Sequence, residues 1–318
     1  MKELGGYIEF EHYHGSQFHE NAVKLNCSRN ALAYLMKLHG IRRIYIPYFL
    51  CDSVLGVCKK YGVEVCFYHI MENFEPIVPP NVDFTNDGFY LVNYYGQLTN
   101  EKITEISRSA KNLIVDNVQA FFQMPLPHVP TIYNCRKFFG VADGAYLYTD
   151  SRLDEEFETD FSYERMGFLL GRFEKTASEF YPQFVANNEF FASEPIKRMS
   201  ALTENIMRSL DYERIKNVRT ENFAYLHEKF SGLNKLKLSV PEGAFAYPLY
   251  LENGAEVRKK LQAQKIYIPT LWPDVFDVCE ESDLEYKMAK NILPLPVDQR
   301  YGKEEMEYIS ERIKECIN

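Results

Sequence analysis

The stretch TIYNCRKFFGVADGAYLYTD, residues 131–150, decides how this chain is read. It opens on an apolar, aromatic run, TIYNC, and closes on another, AYLYT, with Arg136, Lys137, two phenylalanines and Gly144 between them. Both ends read as buried strands, and Gly144 reads as the residue where the chain turns back into the sheet. Lys137 therefore sits just past a strand end. A lysine there ordinarily lays its methylenes on apolar surface and sends its ammonium to water. One held in a pocket for covalent chemistry needs partners from elsewhere in the chain.

Upstream, the strand pattern repeats in RIYIP (43–47), VEVCFY (63–68), FYLVNYY (89–95) and NLIVDN (112–117). Between these lie helical stretches. SRNALAYLMKLHG (28–40) has Leu32, Leu35 and Met36 on one face and Gly40 at its end; SVLGVCKKYG (53–62) and EKITEISRSAKN (101–112) complete the set. Apolar strands joined by helices predict crossover connections and a mainly parallel sheet covered on both faces. Ligands in such sheets collect at the carboxyl ends of the strands.

Downstream, residues 151–235 turn helical. LTENIMRSLDYERIKNVRTENFAYLHEKF (202–230) carries Ile206, Leu210, Ile215, Val218, Phe223 and Leu226 at helical spacing. FSYERMGFLLGRFEKTASEFYPQF (161–184) carries an apolar stripe suited to a helix or dimer face. The final third offers two strands, AFAYPLYL (244–251) and KIYIPT (265–270), then the Pro-rich NILPLPVDQRYG. A last helix, 303–318, is striped by Met306, Ile309 and Ile313. The expectation is a large α/β domain over 1–200 and a small α+β domain over 201–318.

Composition narrows the function. The 318 residues carry 45 acidic against 36 basic side chains, a net charge of −9 with no basic block, which argues against a nucleic-acid surface. No run reaches the ~18 apolar residues that cross a membrane, and the acidic, aromatic start lacks a signal-peptide core. Seven cysteines without a CxxC pair read as reduced thiols of a cytoplasmic protein. No ligand spacing for a metal is present, and His12 and His14 lack a third ligand nearby.

Three segments belong at strand ends of one sheet. LNCSRNAL (25–32) runs from a polar loop directly into a helix, where free N–H groups and the dipole favour an anion such as phosphate. LIVDNVQAFF (113–122) carries three apolar residues into the sheet and ends on Asp116, with Gln119 three residues on. A carboxylate there needs a cation or donors, unless it only caps a helix. The third is Lys137. A phosphate-binding helix start, a buried aspartate and a lysine together describe a pyridoxal 5'-phosphate (PLP) pocket, the aspartate keeping the pyridine nitrogen protonated.

At these residues the chain resembles the DegT/DnrJ/StrS aminotransferases, PLP-dependent transferases of fold type I. NCSRNAL is similar to that family's helix-opening element, VDNVQAF to its EDxAQA, NCRKFFGVADGAYL to its lysine segment, NYYGQ (93–97) to its HxYGQ and RMSAL (198–202) to its RMSEL. The resemblance implies that Lys137 is the Schiff-base lysine and Asp116 the partner of the pyridine nitrogen. It places Ser28, Arg29 and Asn30 at the phosphate, with Asn134 where a small hydroxyl usually stands, and Gln119 at the ring hydroxyl. Phe49 or Cys51 falls where an aromatic stacks on the ring. The family's asparagine that reaches the partner subunit's phosphate falls on Ile196. Tyr95 and Arg300 are candidate substrate contacts, although Arg300 better suits a structural salt bridge with Asp298 or another acid.

What the resemblance implies is an aminotransferase that takes an amino group from a donor such as glutamate to a nucleotide-linked keto-sugar or similar small carbonyl, working as a homodimer. A PLP-fold dehydratase and a non-catalytic binding or regulatory module are the alternatives. Lys137 argues against the first, because such dehydratases replace the lysine by histidine.

Overall fold

The computed structural model describes residues 4–80, 87–110 and 112–317. Lys111 and Asn318, inside two of the expected helices, and Met1–Glu3 of the acidic start lie outside the described residues. Seven strands form one sheet in the order β1-β7-β6-β5-β4-β2-β3. They are β1 (Val23–Leu25), β2 (Arg43–Pro47), β3 (Glu64–Tyr68), β4 (Gly88–Val92), β5 (Leu113–Asp116), β6 (Thr131–Asn134) and β7 (Ala145–Tyr148). Pairings from β3 through β2, β4 and β5 to β6 are parallel, whereas β7 runs antiparallel to both β6 and β1. Gly144 makes the return into β7. Its φ of 113° is unfavourable for an L side chain, and a Cβ would meet Thr203 at 3.0 Å and the Cys135 sulfur at 3.1 Å.

Central strands covered on both faces lose the polar–apolar alternation, which is why β4 and β5 are buried along their whole length. The crossovers are α1 (Ser28–His39), α2 (Asp52–Lys60) and α3 (Asn100–Ser109). Gly40 ends α1 in the left-handed region at φ 61°, its N–H closing on the Met36 carbonyl. The expected single apolar face of α1 proves too narrow: every residue from Asn30 to Met36 is buried, because α1 lies between β6, β7 and α2.

The helical middle comprises α4 (Gly167–Glu174), α5 (Ala177–Ser193), α6 (Ala201–Met207) and α7 (Tyr212–Phe230). The chain breaks between α6 and α7, and Asp211 caps the new start by accepting from Arg214 N–H. Val218, expected to face inward, is only half-buried. Arg219 takes the inner position between Ile215 and Phe223, and a buried guanidinium is tolerated because each of its three nitrogens donates a hydrogen bond.

A second sheet has two antiparallel strands, β8 (Ala246–Tyr250) and β9 (Ile292–Pro296), the latter inside the Pro-rich segment. Around it stand α8 (Gly254–Ala263), α9 (Val275–Val278), α10 (Leu284–Asn291) and α11 (Lys303–Ile317). KIYIPT is not a strand. The chain turns at Lys265 with φ 62°, Pro269 has no N–H to give a ladder, and Ile268 is buried instead in the core beside α7, α8 and α11.

Candidate active site

The ends of β2, β4, β5 and β6 bring the expected residues to one edge of the sheet. Asp116 closes β5, and Lys137 closes a single 3₁₀ turn, Cys135–Lys137, that follows β6 directly. Two Phe–Phe pairs lock these segments together: Phe121 meets Phe139 edge-on at 4.8 Å, and Phe122 meets Phe138 edge-on at 6.1 Å.

Asp116 is buried, and both its oxygens are held. The Tyr90 hydroxyl donates to Oδ2 at 2.7 Å and the Val118 N–H to Oδ1 at 2.9 Å. Tyr90 reaches it from the adjacent strand, because Val92 lies opposite Asp116 in the β4–β5 register and Tyr90 is two residues back on the same face. Burial pushes the Asp116 carboxyl above the usual range, against the pull of the nearby Lys137 ammonium and the two hydrogen bonds.

Lys137 is half-buried, with Nζ 5.5 Å from the centre of the Phe245 ring. Poor solvation holds its pKa below the ordinary lysine value; Asp116 and Cys51 oppose that shift and Arg136 adds to it. The pair thus sits in a setting where both groups lean toward neutrality, a common mark of a reactive site.

The anion side is built from α1 and the lysine turn. The first N–H groups of α1 cannot be met inside the helix, and the preceding residue, Cys27, gives them no side-chain cap. Asn134 Nδ2 donates to Ser28 Oγ at 2.9 Å, while Asn134 Oδ1 and Arg136 Nε are buried without a partner. Turning the Asn134 carboxamide over gives Oδ1 the Ser28 hydroxyl proton and frees Nδ2 as a donor. Arg136 also donates to the Asn188 side chain, and Arg29 Nη1 donates to the Asn188 carbonyl at 2.8 Å. Burial lowers the Arg136 pKa to about 10, which leaves it charged at neutral pH. Free N–H groups, the freed Asn134 Nδ2 and an arginine with an unspent donor suit a phosphate.

Other candidates are placed differently. Asn30 spends its carboxamide on Asn26 Oδ1 at 3.0 Å and the Pro195 carbonyl at 2.6 Å, so it offers the site only its N–H. Phe49 is buried 4.5 Å from the Trp272 ring and 5.3 Å from that of Tyr94, with no open face to stack on a cofactor. Cys51 is half-exposed and close enough to Lys137 to act on its charge. Gln119 is buried, and its Oε1 accepts from Tyr95 N–H at 2.9 Å. Tyr95 itself stands at φ 54° with its ring against Phe74 and Trp272, a packing position rather than a substrate contact. Arg300 forms a two-point pair with Asp298, at 2.6 and 2.9 Å, and borders a cleft whose lining does not include Lys137.

Three contributors escaped the sequence reading. Tyr90 lay unremarked inside the FYLVNYY run, because only the β4–β5 register sets it beside Asp116. Arg136 and Phe245 gave no local signal, since Arg136 meets Asn188 of α5 and Phe245 meets Lys137 only in space.

No protein-family model and no curated protein matches the sequence. Solved structures do match in shape. A DegT DnrJ EryC1 StrS aminotransferase from Brucella abortus superposes with a TM-score of 0.63 at 13% identity, over 92% of this chain and 85% of that one. Sugar aminotransferase CalS13 from Micromonospora echinospora gives 0.63 at 12%, over 93% and 87%. The PMP-form of putative sugar aminotransferase Spr1654 from Streptococcus pneumoniae gives 0.61 at 13%, over 93% and 87%. Over nearly its whole length, this chain has the fold of the DegT/DnrJ/StrS-type aminotransferases.

Proposed function

We propose that the chain is a PLP-dependent aminotransferase that moves an amino group from a donor such as glutamate to a nucleotide-linked keto-sugar or similar small carbonyl compound. One observation carries the reading: a poorly solvated lysine, a buried aspartate and an unspent set of anion donors meet at one sheet edge. Sugar aminotransferases that share the fold support the acceptor class.

Bound there, PLP would supply an electron sink for the charge left when a donor's α-carbon loses its proton. Lys137 would attach it and then, as a free amine, carry that proton between donor carbon and cofactor. A lowered pKa suits both tasks, because only the neutral amine attacks or accepts. Asp116 would keep a proton on the ring nitrogen, its own position fixed by Tyr90 and Val118. The α1 start with Ser28, Asn134 and Arg136 would hold the phosphate, and Gln119 Nε2 faces the role of ring-hydroxyl donor.

The chain divides in this reading into a cofactor-binding part, 1–200, and a smaller part, 201–318. A homodimer is supported by apolar side chains left exposed on the α4–α5 hairpin, among them Leu170, Phe173 and Tyr181. Sedimentation should give a dimer that Phe173→Glu weakens; a fully active monomer would refute it. Seven free cysteines support a reducing, cytoplasmic setting, and recovery of the chain from an oxidising compartment would count against it.

The functional test is spectroscopic. PLP added to the chain should give a visible band that glutamate bleaches and a keto-sugar acceptor restores. A band unresponsive to every amino donor would point to a binding module.

A further inference from the structure

Arg219, among the largest fully buried side chains of the described residues, is unaccounted for by any of these roles. From α7 its guanidinium reaches three segments: Nε donates to Gln299 Oε1 at 2.7 Å, Nη1 to the Ala244 carbonyl at 2.9 Å and Nη2 to the Phe138 carbonyl at 3.1 Å. It also lies 4.6 Å over the Phe138 ring. Gln299 Nε2 donates to the same Phe138 carbonyl at 2.8 Å. Phe138 is the residue after Lys137, and Ala244 is the residue before Phe245, the ring against which the Lys137 ammonium rests. One rigid fork therefore holds both the backbone that carries the lysine and the backbone that carries its wall.

We propose that Arg219, supported by Gln299, is the positioning residue for Lys137, tying the lysine turn to the Phe245 wall and so setting where the amine stands. The proposal rests on the reading of Lys137 as the reactive lysine. Arg219 touches no reacting atom. A planar guanidinium suits the task because three carbonyl-type acceptors in fixed directions match its fork, whereas an ammonium would satisfy them loosely. The charged and titratable groups acting on Lys137 are Asp116 on β5, Cys51 before α2 and Arg136 in its own turn. None of them is bonded to Arg219, whose charged surroundings are Asp298 and Arg300.

The test reads the amine without any cofactor. Full-length chain, stripped of bound carbonyls, is labelled with trace acetic anhydride across pH, and each lysine peptide is quantified by mass spectrometry with Lys216 as internal standard. Arg219→Lys keeps the positive charge and removes the fork, so any change reports position rather than charge. The labelling rate of Lys137 at pH 7 should fall about tenfold, as its titration midpoint rises by about one pH unit. Gln299→Met, a milder change, should give about threefold and decides the matter if Arg219→Lys fails to fold. Lys137 labelling within 1.5-fold of wild type in a folded Gln299→Met or Arg219→Lys chain overturns the proposal, even where the melting temperature drops. The readout is independent of cofactor binding. Failure to trap PLP on Lys137 would defeat the aminotransferase reading while leaving the labelling result to stand or fall alone.

Discussion

Replacing Tyr90 by Phe tests the aspartate end of the site in isolation. The change removes one oxygen from a fully buried pair and leaves the ring packing in place, so its cost falls on the 2.7 Å bond to Asp116 Oδ2. A hydrogen bond to a buried charged group contributes about 1.5–3 kcal/mol, and the oxygen left behind finds no water. The expected loss at pH 8 is therefore about 2 kcal/mol, and the Asp116 pKa, already raised by burial, moves further up because a bond that favours the charged form is gone. The sign of the pH dependence follows. With a raised folded-state pKa, the folded chain binds more protons than the unfolded one above pH 3.8, so the Asp116 contribution falls as pH rises through the folded pKa. Tyr90→Phe shifts that fall upward in pH and deepens it. Its deficit against wild type should be largest at pH 8 and shrink as pH falls through the folded-state pKa and Asp116 takes up its proton. Urea denaturation across pH measures it, and a double-mutant cycle with Asp116→Asn isolates the pair. A deficit below about 0.5 kcal/mol at pH 8, or a cycle with no coupling, would refute the account of Asp116.

Three further outcomes follow from the same geometry. His19 is buried with Nε2 on the Phe121 carbonyl, and burial lowers its pKa from 6.5 to about 4. Its stabilisation is fully present above pH 6.5 and is lost as pH falls toward 4, by about 3 kcal/mol in all; denaturation of His19→Gln should lack that slope. Gly243 stands at φ 60°, and a Cβ there would lie 2.1 Å from the Phe122 ring. Gly243→Ala should lose about 2–4 kcal/mol in urea titration from backbone strain and overpacking, and an unchanged midpoint would contradict the fit of β8 against the site. Arg136→Met should weaken PLP binding about tenfold or more in an absorbance titration, because it deletes a charged donor at the anion end.

Much of the fold was legible because central parallel strands are continuous apolar runs, and such runs end where loops must carry polar residues. That logic exposed Asp116, the last residue of β5, and Lys137, at the end of the turn that follows β6. It failed where contacts are non-local. Val218 and Arg219 are neighbours on α7, and helical spacing chooses the valine. Only carbonyls from residues 138 and 244 and the side chain of Gln299 make the arginine the better inward residue. Phe49 and Cys51 differ by two positions in a loop. Which one faces Lys137 depends on Trp272, far away in sequence, claiming the phenylalanine. KIYIPT had strand composition but no neighbouring edge to pair with, and pairing is what makes a strand.

The most direct measurement is the site of covalent attachment. The chain loaded with PLP is reduced with borohydride, digested, and its peptides are weighed. The account predicts a single stable adduct on the peptide containing Lys137, absent from Lys137→Ala together with the reducible visible band. An adduct on another lysine, or a reducible band that persists in Lys137→Ala, would contradict it.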